Sequence, residues 1–62
     1  MVQLSPREAE VINLLSRGHR FKEIAGRLGI SATTVRTHLE RSYEKLQVSS
    51  RTEAVAKFIR LG

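Results

Sequence analysis

Thr33, Arg36, Thr37, Glu40 and Arg41 recur at three- and four-residue steps, so a helix carrying them turns them to one side. Their chemistry is recognition rather than bond breaking. The Arg36 guanidinium can pair bidentately with a guanine edge. Glu40 can accept from a cytosine amino group, but near phosphates it repels. Thr33 and Thr34, with the free amides of a helix start, can hold a phosphate. The chain has no nucleophile–base pair, no Gly-rich phosphate loop and no paired carboxylates in a recognisable site, so no enzyme activity is expected. His19 and His38 are the only histidines, they lack a close-spaced ligand partner, and there is no cysteine. A zinc site, a disulfide or a cofactor is therefore not expected. His38 lies beside the line of Val35 and Leu39 and reads as a hydrogen-bonded structural histidine.

The element that must position these side chains is Phe21 to Leu46. It reads as two helices, roughly Phe21 to Leu28 and about Ala32 to Leu46, joined by a tight turn at Gly29-Ile30-Ser31. Ile24, Ala25 and Leu28 form the stripe of the first helix. Gly29 suits the left-handed conformation after a helix end, and Ser31 stands where an N-cap is needed. Val35, Leu39 and Leu46 form the second stripe, with Ser42 in the same line. Ala25 is the small residue that lets two steeply crossing helices touch. This is the pattern of a helix-turn-helix, which presents its second helix to the DNA major groove. An ordinary helical hairpin in a small bundle is the plainer reading of the same stripes.

Sixty-two residues allow a single domain. A chain of this size buries only ~60% of its unfolded surface, so its core is small. The net charge of +5 and a sequence pI near 10.8 fit an electrostatic footprint for phosphates, and count because they coincide with the helix-turn-helix. No apolar run approaches the ~20 residues of a membrane span. Met1-Val2-Gln3 carries no basic-then-apolar signal pattern. The chain reads as one domain over 1–62, excised from something larger.

Two further helices flank the motif. The first opens at Ser5-Pro6-Arg7-Glu8, where Ser5 caps, Pro6 takes the first helical position and Glu8 returns a hydrogen bond. Ala9, Ile12 and Leu15 form its inner face with Val11 and Leu14 beside them, and Gly18 ends it. The last opens at Ser50-Arg51-Thr52-Glu53, a second capping box. It carries two adjacent apolar stripes, Ala54/Phe58 and Val55/Ile59. One stripe closes the core, and the other either widens that core or meets a second subunit.

LSPREAEVINLL, KEIAGRLGIS, TVRTHLERSYEKL and VSSRTEAV resemble, in order and spacing, the LuxR-type helix-turn-helix domain. This is the C-terminal output domain of LuxR regulators and of NarL/FixJ-type response regulators in two-component systems. The resemblance covers Leu4 to the last helix. It implies an all-α, four-helix domain in the bacterial cytoplasm that binds double-stranded DNA to regulate transcription. It further implies a third helix in the major groove and a homodimer on DNA through the fourth, with Ala54, Val55, Phe58 and Ile59 at the interface. Carried over by position, the family's phosphate-contacting lysine falls on Lys22. Thr34, Arg36 and Thr37 take groove-facing positions, and Lys45 lies near the DNA backbone. Four departures stand out: Glu40 in place of a neutral or basic residue, Ser42 for an apolar one, Gln47 for a helix-ending glycine, and Arg20 for a small polar cap.

A competing class is a protein-interaction module, a degenerate helix-turn-helix that docks through its apolar fourth helix. Lys22, Arg36, Arg41 and Lys45 weigh for DNA, while Glu40 and Glu44 weigh against it. A sigma-factor-like contact with RNA polymerase is a third reading, resting on fold analogy alone.

Overall fold

A computed structural model describes residues 4–61; Met1-Val2-Gln3, where no signal pattern was found, lie outside the described residues. The chain runs α1 (Pro6–Ser16), α2 (Phe21–Leu28), α3 (Ala32–Leu46) and α4 (Arg51–Leu61). There is no strand among the described residues. The boundaries of the helix-turn-helix are those that the stripes and caps predict. No described helix is long and apolar enough to cross a membrane.

Each helix starts on a signal written in its own first turn. The Ser5 hydroxyl accepts the Glu8 N–H at 3.2 Å, and Glu8 Oε1 accepts the Ser5 N–H at 2.8 Å, completing the expected capping box of α1. Arg20 has no acceptor in its side chain. The start of α2 is therefore held by half a box, the Arg20 N–H donating to Glu23 Oε1 at 2.8 Å. The Ser31 hydroxyl accepts the Thr34 N–H at 3.1 Å, as an N-cap should. At α4 the Ser50 hydroxyl accepts the Glu53 N–H at 3.2 Å. The return arm reaches Ser49 rather than Ser50: Glu53 Oε2 accepts the Ser49 N–H at 3.1 Å.

One core runs through all four helices. Val11, Ile12 and Leu15 of α1 meet Ile24 and Ala25 of α2, Val35, Leu39 and Leu46 of α3, and Ala54 of α4. Burying each large aliphatic side chain contributes about 1.5–3 kcal/mol, most of which offsets chain entropy. The inner face of α1 differs from the expected one. Glu8 and Val11 are buried with Ile12 and Leu15, whereas Ala9 and Leu14 are only half-buried. The stripe 8/11/12/15 is the better helical face, but a carboxylate within it is tolerable only with a partner. That partner comes from α3.

Ser42 is fully buried and donates its hydroxyl to the His38 carbonyl at 2.8 Å. A back-bonded serine can thus sit in the apolar line without an orphaned donor. The His38 imidazole is half-buried, and no hydrogen bond to it is formed among the described residues, contrary to the expected structural role.

Candidate nucleic-acid interface

The turn between α2 and α3 fixes where α3 begins. Gly29 takes the left-handed conformation (φ 68, ψ 35), and the Ile30 N–H closes back on the Ala25 carbonyl at 3.0 Å. With Val35, Leu39, Ser42 and Leu46 turned inward, the opposite face of α3 is left to solvent. Thr33, Arg36, Thr37, Glu40 and Arg41 are all exposed on it, and Thr34 is half-buried. Lys22 is exposed on the first turn of α2. Among the described residues none of Lys22, Arg36, Glu40 or Arg41 forms an ion pair, so these charges remain available to a ligand.

The hydroxyls divide the work. Thr34 Oγ1 shares a hydrogen bond with Ser31 Oγ at 2.9 Å and so belongs partly to the cap. Thr37 Oγ1 donates to the Thr33 carbonyl at 3.1 Å. Its donor is engaged while its lone pairs stay free, which suits it to accept from a base amino group rather than to donate to a phosphate. Thr33 is exposed, and among the described residues its hydroxyl forms no hydrogen bond.

The first turns of α1, α2 and α4 contain Glu8, Glu23 and Glu53, whereas that of α3 contains no acidic residue. The amides of Ala32 and Thr33 precede the first intrahelical bond of α3, which is Val35 N–H to the Ser31 carbonyl. The positive end of the α3 dipole is thus exposed and not neutralised, the arrangement that favours an anion.

Lys45 has a different surrounding from the rest of the predicted set. Its Nζ donates to Glu8 Oε1 at 2.7 Å. Burial pushes the Glu8 carboxyl up, but hydrogen bonds from Lys45 and Ser5 and the Lys45 charge pull it further down, leaving it below the ordinary glutamate range. At roughly 100° per residue, Lys45 lies about a quarter turn from the centre of the outward face, on the flank toward α1. Sequence reasoning missed this partner of Glu8. It also missed Lys57, whose Nζ donates to the Leu46 carbonyl at 2.7 Å and closes the end of α3. Neither pairing leaves a local signal. The half box of Glu23 did have one, a glutamate three residues after the cap.

The residues assigned to a second-subunit contact separate. Ala54 is fully buried in the single chain and cannot present itself to a partner. It leaves the interface set because the 54/58 stripe is the one that closes the core. Phe58 and Val55 are half-buried against that core, and Ile59 is 63% exposed.

Residues 2–58 match the family described as bacterial regulatory proteins, luxR family. The chain is 47% identical over 57 residues to the "Probable transcriptional regulatory protein NarL" of Mycobacterium tuberculosis, covering 92% of this chain and 26% of that protein. It is 44% identical over 59 residues to the spore germination protein GerE of Bacillus subtilis, covering 95% of this chain and 80% of that one. The solved structure of the transcription factor GerE superposes with a TM-score of 0.89 at 42% identity, over 95% of this chain and 88% of that chain. The chain thus spans about a quarter of the NarL relative and most of GerE.

Proposed function

The chain belongs to the luxR family of bacterial regulatory proteins and is a DNA-binding domain of the transcription-regulator type; we propose that it docks with α3 in the major groove as the output part of a longer cytoplasmic regulator. The observation that carries this reading is the outer face of α3, where Arg36 and Arg41 stand exposed, with no ion pair among the described residues, beside a helix start free of acidic residues. Arg36 reads a base, Thr37 accepts from a neighbouring one, and Thr33, Thr34, Lys22 and Arg41 hold phosphates. Glu40 lies one turn beyond Arg36 and discriminates between a cytosine and a phosphate neighbour. Phosphates supply most of the affinity and the few base contacts supply the specificity.

The test compares a site selected from a random duplex pool with the random pool itself. Arg36→Ala weakens binding to the selected site by about 1–3 kcal/mol and leaves random duplex nearly unaffected. Lys22→Ala weakens both alike and flattens the salt slope by about one unit. Full affinity for the selected site in both folded variants would remove the proposed docking and favour the protein-interaction reading.

The exposure of Ile59 supports a second element, pairing of two copies on adjacent half-sites through the Val55/Ile59 edge of α4. Ile59→Glu keeps the helical circular dichroism and removes cooperative occupancy of a two-half-site duplex. Unchanged cooperativity would exclude α4 as the contact.

A further inference from the structure

We propose that Glu8 is a positioning residue for α3, and that its bond to Lys45 withholds that lysine's charge from the DNA phosphates. The inference rests on the docking of α3 proposed above. A single oxygen, Glu8 Oε1, takes two hydrogen bonds, from the Ser5 amide at 2.8 Å and from Lys45 Nζ at 2.7 Å. It therefore joins the first turn of α1 to the last turn of α3. Glu8 is only 3% exposed, so its charge needs the partner it has. The Lys45 side chain remains 43% exposed, so its ammonium lies at the surface. It follows Arg41 by four residues and shares its flank of the helix.

A free lysine at that place would be a flexible point charge able to reach a phosphate. Held by Glu8, it fixes the angle at which the outer face of α3 stands away from α1. Its charge is matched within the protein, so it releases no counterion when duplex binds. The domain then docks with a set of phosphate contacts that excludes Lys45, although the residue type and position suggest otherwise.

The salt dependence of random-duplex binding decides this. Glu8→Gln keeps the capping arm to Ser5, since glutamine serves in a capping box, but removes the charge that holds Lys45. It frees the lysine and steepens the slope by about 0.9, a further loss of roughly 3.5-fold between 50 and 200 mM salt. Glu8→Gln with Lys45→Met returns the slope to that of the unaltered domain. Lys45→Met alone lowers the melting temperature and leaves the slope unchanged. A Glu8→Gln slope equal to the unaltered one overturns the proposal, as does a slope about 0.9 flatter in Lys45→Met alone. Lys22→Ala measured alongside separates the two levels. If it flattens the slope while Glu8→Gln changes nothing, only the clamp fails. If it too changes nothing, the docking of α3 fails and the withheld charge fails with it.

Discussion

The N-terminal end of α3 is fixed within a few residues of its own chain. Gly29 turns left-handed, and Ser31 caps the Thr34 amide across three residues. The C-terminal end is fixed from afar. Lys45 is tied to Glu8 across 37 residues, and the Leu46 carbonyl is closed by Lys57 across 11. Short-range anchoring leaves the first amides of α3 open and keeps acidic side chains away from them. Long-range anchoring gathers Glu8, Lys45 and Lys57 at the opposite end, where each is engaged within the protein. The end that meets DNA in the proposed docking is therefore held without being covered, and the other end locks the helix into the bundle.

Breaking the distant anchor should have the largest effect. Lys45→Met leaves a buried carboxylate with the Ser5 amide as its remaining partner. A fully buried pair broken in this way costs about 3–5 kcal/mol, and leaving a buried polar group short of a bond costs about 1–3. Because Lys45 itself is partly in water, we expect about 2 kcal/mol, read as a fall in the urea midpoint with an unchanged m-value. The pH dependence gives a second reading. The Glu8 carboxyl titrates lower folded than unfolded, so as acid is added the unfolded chain takes up its proton first. The contribution of Glu8 is complete above about pH 4.3, where a free glutamate titrates, and is lost as the pH falls through its lowered value. Lys45→Met should flatten this acid limb. A loss below 0.5 kcal/mol with the acid limb intact would make the pair an ordinary surface contact and erase the contrast between the two ends.

The same contrast explains what the sequence could show. Ser5, Ser31 and Ser50 each announce a helix start because their partners lie three residues away, within the reach of a local pattern. The stripe of Val35, Leu39, Ser42 and Leu46 is legible because helical periodicity alone turns it inward. From that stripe the exposed face with Arg36 and Arg41 follows as its complement. Glu8 looked like a capping residue and nothing more, and Lys45 looked like a free cation, because their pairing exists only after α1 and α3 pack. Val55 and Ile59 are the stripe expected to face outward, while Ala54 and Phe58 are kept in the same interface set. Packing separates the two stripes, burying Ala54 completely and leaving Ile59 in solvent. His38 is expected to be a hydrogen-bonded structural histidine, but among the described residues its imidazole forms no hydrogen bond.

An intermediate effect belongs to the local anchor. Ser31→Ala removes the acceptor of the Thr34 amide and the partner of the Thr34 hydroxyl. Loss of such a cap costs about 1 kcal/mol, roughly half the expected cost of releasing Lys45. Thermal unfolding should report it as a drop of about 4–8 °C for a domain of this size. Because the cap lies beside the exposed amides, the change should also release Thr34, weakening random-duplex binding without altering base preference. A cost equal to that of Lys45→Met would mean that both ends carry the helix equally.

The smallest effect concerns the two left-handed residues that end α2 and α3. Gly29 has φ 68, and Gln47 adopts nearly the same conformation with φ 58 and ψ 47. For a residue with a Cβ this conformation costs about 1–2 kcal/mol, whereas glycine adopts it freely. Glycine in turn loses about 0.5–1 kcal/mol more on folding through the freedom of its unfolded chain. Gln47→Gly should therefore stabilise the domain by about 0.5 kcal/mol, a rise of roughly 2–4 °C in Tm. Gly29→Ala should move the other way, and since a Cβ there would meet no atom within 4 Å, the change isolates backbone conformation from packing. The strain at Gln47 persists because the Val48 amide bonds the Tyr43 carbonyl at 3.0 Å while Lys57 holds Leu46. If Gln47→Gly destabilised the domain instead, its side chain would be contributing to the α3–α4 connection, and the distant anchor would include a third member.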